Sequence, residues 1–319
     1  MRWCDICHRP WTFAYCGGHQ HTRQPGPARP VLAHVPCAVP VILNHVYRAL
    51  LAELPLAASH RQALRQRGLV DTEILRRLYR TFPLPGRPAL AQRLVQHLGA
   101  DLCAQVPGFY VAERDGQRWW GLAGAAGLLI PVRNLDSHIV ALKVRADNPG
   151  NSPKYTTISS AKYGGPSPGA QVHVPLHSGS GDTVRLTEGE LKGDIATALS
   201  RLLTLSIPGV ALWRKALPVL EGLRPQQVLL AFDADWRTNP HVAQALGQAA
   251  VALVTAGYAV QVEAWEPALG KGIDDLLTAG HTPARHSAAL AFGAVLRGQA
   301  RTWTERLPTI AAEEVPPWH

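Results

Sequence analysis

The sequence predicts an α/β protein. A small cysteine-rich module and a helical segment come first, then a basic β-rich module, then a domain built on a parallel sheet. Three observations carry that reading. Between residues 183 and 280 short apolar runs alternate with helical periodicity, the rhythm of strand–helix–strand units with right-handed crossovers. Two of those runs end in carboxylates, Glu188 after V-R-L-T and Asp233 with Asp235 after V-L-L-A-F. Adjacent parallel strands deliver their C-terminal ends to one sheet edge, where such folds bind ligands. Ahead of them, residues 108–174 alternate extended stretches with turn residues and carry basic side chains.

Composition bounds the function classes. At 319 residues the chain has room for about two domains. With 46% hydrophobic and 17% charged residues it is not of the disordered class. No apolar run approaches the ~20 residues that span a bilayer. The opening M-R-W-C-D-I-C lacks the apolar core of a signal peptide. A cytoplasmic protein with no membrane partner is the expectation. A net charge of +9 favours an anionic partner, nucleic acid first. Arginine far outnumbers lysine, and Lys143, Lys154, Lys162, Lys192, Lys215 and Lys271 all lie in the middle and C-terminal parts. A compact ammonium differs from a guanidinium fork in phosphate chemistry, so some of these lysines are candidates for function.

Residues 1–40 hold four of the five cysteines, Cys4, Cys7, Cys16 and Cys37. In a cytoplasmic protein a Cys-x-x-Cys knuckle reads as a metal site before a disulfide. Two such thiolates bind one tetrahedral Zn2+ once a second pair completes it. Cys4, Cys7, His34 and Cys37 form the favoured set, because Cys37 otherwise has no partner. Cys16 and His19, on the C-G-G-H turn, are the rival closure. Zinc here would be structural, since so short a segment cannot bury a core unaided.

Residues 41–104 read as a helical segment. V-I-L-N-H-V-Y-R-A-L-L-A-E-L repeats apolar residues at three and four, and three further runs follow, including D-T-E-I-L-R-R-L-Y-R. Asp71 reads as an N-cap and Glu73 as a charged first turn. Residues 105–175 form the basic β-rich module. F-Y-V-A-E-R-D-G-Q-R-W-W is a hairpin signal, and G-L-L-I-P-V-R-N and H-I-V-A-L-K-V-R-A-D read as strands. Arg133, Lys143 and Arg145 sit on or beside those strands and Lys154 follows in P-K-Y, a surface suited to a single strand or to nucleotide phosphates.

Residues 176–290 form the acidic module. Strands are expected at 183–188, 228–233 and 258–265, and helices at 194–205, 241–256 and 271–280. The order implies a parallel sheet. Three acidic groups at its edge would repel one another unless a cation sat among them. Residues 291–319 are a tail, helical at first and then Pro-ended, with no function assigned.

With the motifs placed, T-E-G at 187–189, A-F-D-A-D at 231–235 and G-K-G-I-D-D at 270–275 resemble a TOPRIM domain. That is the metal-binding fold shared by bacterial replicative primases, topoisomerases and some nucleases. The match is closest to primase-like modules of plasmids, phages and integrative elements. The upstream strands resemble the basic subdomain that precedes TOPRIM in bacterial primases. The cysteine-rich start resembles their zinc-binding domain in position, though not in ligand order.

The resemblance implies that Glu188, Asp233 and Asp235 hold Mg2+ or Mn2+, with Asp274 the acidic counterpart near Lys271. It implies that Arg133, Arg145 and Lys154 guide template or nucleotide phosphates, while Lys192 and Lys271 neutralise the triphosphate. Lys192 stands near where primases carry a further acid, with Asp194 two residues on, and whether Asp194 substitutes is open. No G-x-x-x-x-G-K-[ST] occurs, so a separate replicative helicase is the expected partner. The implied activity is synthesis of short primers on single-stranded DNA from NTPs or dNTPs. Two alternatives stand beside it: a non-catalytic strand-binding module that recruits a helicase, and a TOPRIM nuclease.

Overall fold

In the computed structural model, residues 35–177, 179, 181–289 and 291 are described, together with the backbone of residues 15–16 and 19–20. The chain divides into two compact units, residues 1–34 and 35–319. In the first, β1 (Tyr15–Cys16) pairs antiparallel with β2 (His19–Gln20). The side chains of Cys4, Cys7, Cys16, His19 and His34 lie outside the described residues, as does the tail beyond Ala291. Cys37 is described. It is a free, half-buried thiol packed against the helical core, and burial raises its pKa.

The second unit opens with α1 (Pro40–Ala52), where proline suits the first position because the N–H it lacks would have had no partner in the helix. Its Leu43, Val46, Tyr47, Leu50 and Leu51 recur at three and four and are buried. Helices α2 (Ala58–Gln66) and α3 (Asp71–Arg77) follow. Asp71 lies inside the first turn of α3 and not at its N-cap, which is Val70. The helical run expected through Arg80 stops at Arg77. Leu78 turns left-handed (φ 63°), and β3 (Arg80–Phe82) is a strand whose Phe82 is buried. Helices α4 (Arg87–Leu98) and α5 (Ala100–Ala104) complete this segment.

The expected hairpin is β4 (Phe109–Arg114) with β5 (Gln117–Leu122). Its turn residues Asp115 and Gly116 both have positive φ, 53° and 75°, as a two-residue turn matching strand twist requires. Strands β6 (Gly127–Arg133), β7 (Ile139–Ala146) and β8 (Tyr155–Thr157) join β3 in an antiparallel sheet of order β3-β6-β7-β8. Pro131 is tolerated in β6 because β3 pairs only with residues 127–129.

The acidic module runs β9 (Thr183–Glu188), α6 (Glu190–Ser200), β10 (Thr204–Ile207), α7 (Leu217–Leu223), β11 (Gln227–Leu230), α8 (Pro240–Thr255), β12 (Ala259–Ala264), α9 (Ile273–Thr278) and β13 (Ala284–Ser287). The sheet order is β10-β9-β11-β12-β13, with the first four strands parallel and β13 antiparallel. Two expectations need correction. The helix expected at 194–205 begins at Glu190 and ends at Ser200, where Arg201 turns left-handed (φ 56°), which frees T-L-S-I to form the edge strand β10. The sheet is also not wholly parallel, since β13 closes its other edge in the opposite sense. Leu128 and Ile130 of β6 pack with Leu191 and Ile195 of α6 and with Ile74 and Tyr79, so helical segment, β module and acidic module share one cluster.

Candidate functional site

The acidic edge is built from strand ends. Gly189, in a left-handed conformation (φ 86°), turns the chain from β9 directly into α6. That leaves Glu188 at the tip of β9, and Asp233 just past its neighbour β11. Asp235 follows in a short 3-10 turn, and Ala234 donates its N–H to the carbonyl of Lys271 at 2.9 Å. This bond lays the G-K-G-I-D-D loop beside the D-A-D motif.

The electrostatics are those of crowded carboxylates held by two ammonium groups. Lys192 of α6 forms an ion pair with Asp233 Oδ1. Lys271 lies 3.6 Å from Asp233 Oδ2 and 3.6 Å from Asp235 Oδ2. Burial, and then the charge of Asp233, raise the Glu188 pKa, with Lys192 opposing. Asp233 in turn raises the pKa of Lys271. Glu188, Asp233, Asp235, Lys192 and Lys271 are thus brought together as the sequence places them.

Asp274 is positioned differently. It is buried in the first turn of α9 and paired with Arg67, which reaches it from the junction of α2 and α3. Burial raises its pKa and Arg67 opposes. Thr278 Oγ1 donates to the Arg67 carbonyl at 3.0 Å, so the helical segment grips this loop twice. Nothing in the R-Q-R-G stretch singled out Arg67, because its partner lies far along the chain.

Asp194 does not stand in for an acid at the edge. Residues 190 and 194 share one side of α6, away from Lys192. Asp194 is wholly buried against Tyr79 Oη (2.6 Å), His173 Nε2 (3.2 Å) and Arg77 Nε (3.3 Å). Burial opposes its charge, but Arg77 and His173 outweigh it and hold the carboxyl well below the usual carboxylate range.

The basic side chains divide. Arg133 is 2% exposed, with Nη2 donating to the Arg77 carbonyl at 3.0 Å. Lys143 gives its ammonium to both oxygens of Glu190 at 2.7 and 2.6 Å. Both are committed inside the fold and closed to a phosphate. Arg145 is half-buried and Lys154 exposed, and neither has an ion-pair partner among the described residues.

A divalent cation fits this edge in donor chemistry. Oδ1 of Asp235 and Oδ1 of Asp274 are buried without a hydrogen-bond partner, and hard carboxylate oxygens suit Mg2+ or Mn2+. Among the described residues no three His, Cys, Asp or Glu side chains converge on one point, Asp233 and Asp235 being paired with Lys192 and Lys271 instead.

A family model described as a domain of unknown function (DUF3854) matches residues 180–283. No curated protein matches the sequence. Solved structures do. The zinc-binding and RNA polymerase domains of the Aquifex aeolicus primase superpose with a TM-score of 0.57 at 14% identity, covering 84% of this chain and 66% of that one. The E. coli primase catalytic core gives 0.54 at 16%, covering 85% of each chain. A DnaG primase catalytic domain bound to single-stranded DNA gives 0.55 at 15%, covering 84% of each. The fold is therefore primase-like across the basic β module as well as the acidic one.

Proposed function

We propose that the chain is a primase-like nucleotidyltransferase of the TOPRIM type, acting on single-stranded DNA with NTPs or dNTPs. The observation that carries this reading is the acidic edge, where Glu188, Asp233 and Asp235 meet Lys192 and Lys271 within a primase-like fold. In the reaction a primer 3′-hydroxyl attacks the α-phosphate of an incoming nucleotide, a phosphodiester forms and pyrophosphate leaves. Glu188, Asp233 and Asp235 would hold Mg2+ or Mn2+, which offsets the charge that builds on the phosphate oxygens. Lys192 and Lys271 turn from the carboxylates to the triphosphate. Asp274, fixed by Arg67, holds the loop that carries Lys271. Arg145 and Lys154 are the basic side chains left to meet the template.

Cys4, Cys7, His34 and Cys37, with Cys16 and His19 as alternative ligands, would bind the structural Zn2+ of a module that helps select template. A plasmid, phage or other mobile element is the proposed setting, with a separate replicative helicase as partner. One feature favours a second reading. Asp233 and Asp235 are paired with lysines, as expected of a non-catalytic strand-binding module.

The test is a product assay with purified protein, single-stranded template, labelled NTPs or dNTPs and Mg2+ or Mn2+. Short products that disappear in Asp233→Asn are expected. Template cutting would indicate a nuclease, and binding without either product the accessory module.

A further inference from the structure

We propose that a cleft on the side of the β6–β7 sheet away from the acidic edge binds single-stranded nucleic acid by stacking its bases. The proposal is independent of nucleotidyl transfer. It requires only that the chain meets a single strand.

The cleft has a volume of about 650 Å³ and opens between the β4–β5 hairpin, the start of α4, and β8 with its flanking loops. Its wall is aromatic. The rings of Tyr110 and Tyr163 stack with centroids 3.8 Å apart at 7°. Gly121 opposes Tyr110 in the ladder, and a Cβ there would lie 2.6 Å from a Tyr110 ring atom. Only glycine lets that ring lie across the hairpin. Tyr163 is 43% exposed, and Lys162 Nζ sits 4.8 Å from its centroid with no carboxylate partner among the described residues. Trp119, 38% exposed, opposes Ala112 and so lies on the same hairpin face as Tyr110, one pleat further on. Asn148, Ser152, Thr156 and Ser159 supply hydrogen-bonding groups around the opening.

The Tyr163 face turned from Tyr110, covered only by the Lys162 side chain, and the exposed Trp119 are the aromatic surfaces that sequence-tolerant strand binding uses, because every base offers a π-face. Arg87 also lines the cleft, yet its donors go to the carbonyls of Pro83, Gly124 and Ala125 at 2.5, 2.6 and 3.0 Å. It is a wall and not a phosphate ligand. Lys162 is then the cleft's free cation among the described residues, so stacking outweighs charge.

The side is fixed by strand alternation. Thr156 opposes Val144, and with Leu142 these lie on the face packed against α1 and its neighbours. Lys143 and Arg145 alternate to the other face, where Lys143 meets Glu190 of α6. The sheet therefore stands between the cleft and the acidic edge. A strand held here is tethered at a distance from the carboxylates.

The experiment measures fluorescence anisotropy of labelled dodecathymidylate with the full chain, without added divalent ions. Changing Lys162→Ala and Tyr163→Ala together is expected to raise Kd about tenfold or more. Tyr163→Phe keeps the ring and is expected to bind as the unmodified chain does, which separates stacking from loss of fold. A strand carrying 5-bromodeoxyuridine is expected to cross-link to Tyr110, Tyr163 or Trp119. Unchanged affinity in the double variant, absence of binding by the unmodified chain, or cross-links confined to Tyr155 on the opposite face would each overturn the proposal. Primer synthesis is scored on the same preparations. Binding that depends on Tyr163 in a chain that makes no primers removes the transfer reading and keeps this one. Primers made with binding indifferent to Tyr163 do the reverse.

Discussion

Lys192 of α6 places its ammonium on Asp233. A cation entering the edge must displace it. Lys192→Ala is therefore expected to tighten Mn2+ binding by the protein alone by about tenfold, read by calorimetry; unchanged or weaker binding would show that the lysine does not compete. Glu188 carries a linked stability effect. Burial and Asp233 raise its pKa above the ordinary value, so its ionised form costs stability once pH exceeds that of an unfolded Glu, about 4.3. Glu188→Gln is expected to raise Tm at neutral pH while removing activity, and the gain is expected to vanish in acid. A lowered Tm at neutral pH would contradict that sign. Asp194 behaves oppositely. Its pKa is depressed in the fold, so its stabilisation is present above the unfolded value of about 3.9 and is lost as pH falls through the folded value. Asp194→Asn is expected to cost about 3–5 kcal/mol in denaturant titrations near pH 7, with the difference from the unmodified chain narrowing below pH ~4.

Helix α6 carries Glu190, Lys192 and Asp194 to three different partners, so its seat on the sheet decides the site. It lies close because residue 193 is glycine. A Cβ there would stand 2.8 Å from the Thr204 carbonyl of β10 and against Ser206. Gly193→Ala is expected to destabilise the chain by about 1–3 kcal/mol through overpacking, measured by urea midpoint, and to weaken Mn2+ binding together with it. Unchanged stability would mean the helix can retreat at no cost. Elements of this kind divide by how much of their cause is local. β9, the carboxylate pair after β11 and the Asp115–Gly116 turn were legible because a few neighbouring residues determine them. β10 was not, because L-L-T-L-S-I continues the helical period of the residues before it, and only the left-handed turn at Arg201 and pairing with β9 make it a strand. Arg67 with Asp274, Lys143 with Glu190 and Asp194 with Tyr79 were equally hidden, since each joins residues of different segments through tertiary packing. The basic character of Arg133 and Lys143 was readable, but their burial depended on those same contacts.

At the scale of the molecule, three sequence segments are tied by one apolar cluster and by the Asp194 and Glu190 ion pairs. Residues 35–289 are accordingly expected to unfold as one cooperative unit, with tryptophan fluorescence and far-ultraviolet circular dichroism tracing coincident urea transitions. Two separated transitions would mean that the β module and the acidic module are independent. The shared cluster also gives the acidic edge a fixed relation to the basic sheet, which nucleotidyl transfer needs if template and triphosphate are to meet in register. The most direct measurement is the rate of labelled nucleotide incorporation on a single-stranded template at saturating Mg2+ or Mn2+, for the unmodified chain and for Glu188→Gln, Asp233→Asn and Asp235→Asn. Incorporation by the unmodified chain that falls at least about 10²–10³-fold in each folded variant is the expected result. Incorporation that persists in all three, or is absent from the unmodified chain with either metal, would contradict a transferase site at this edge.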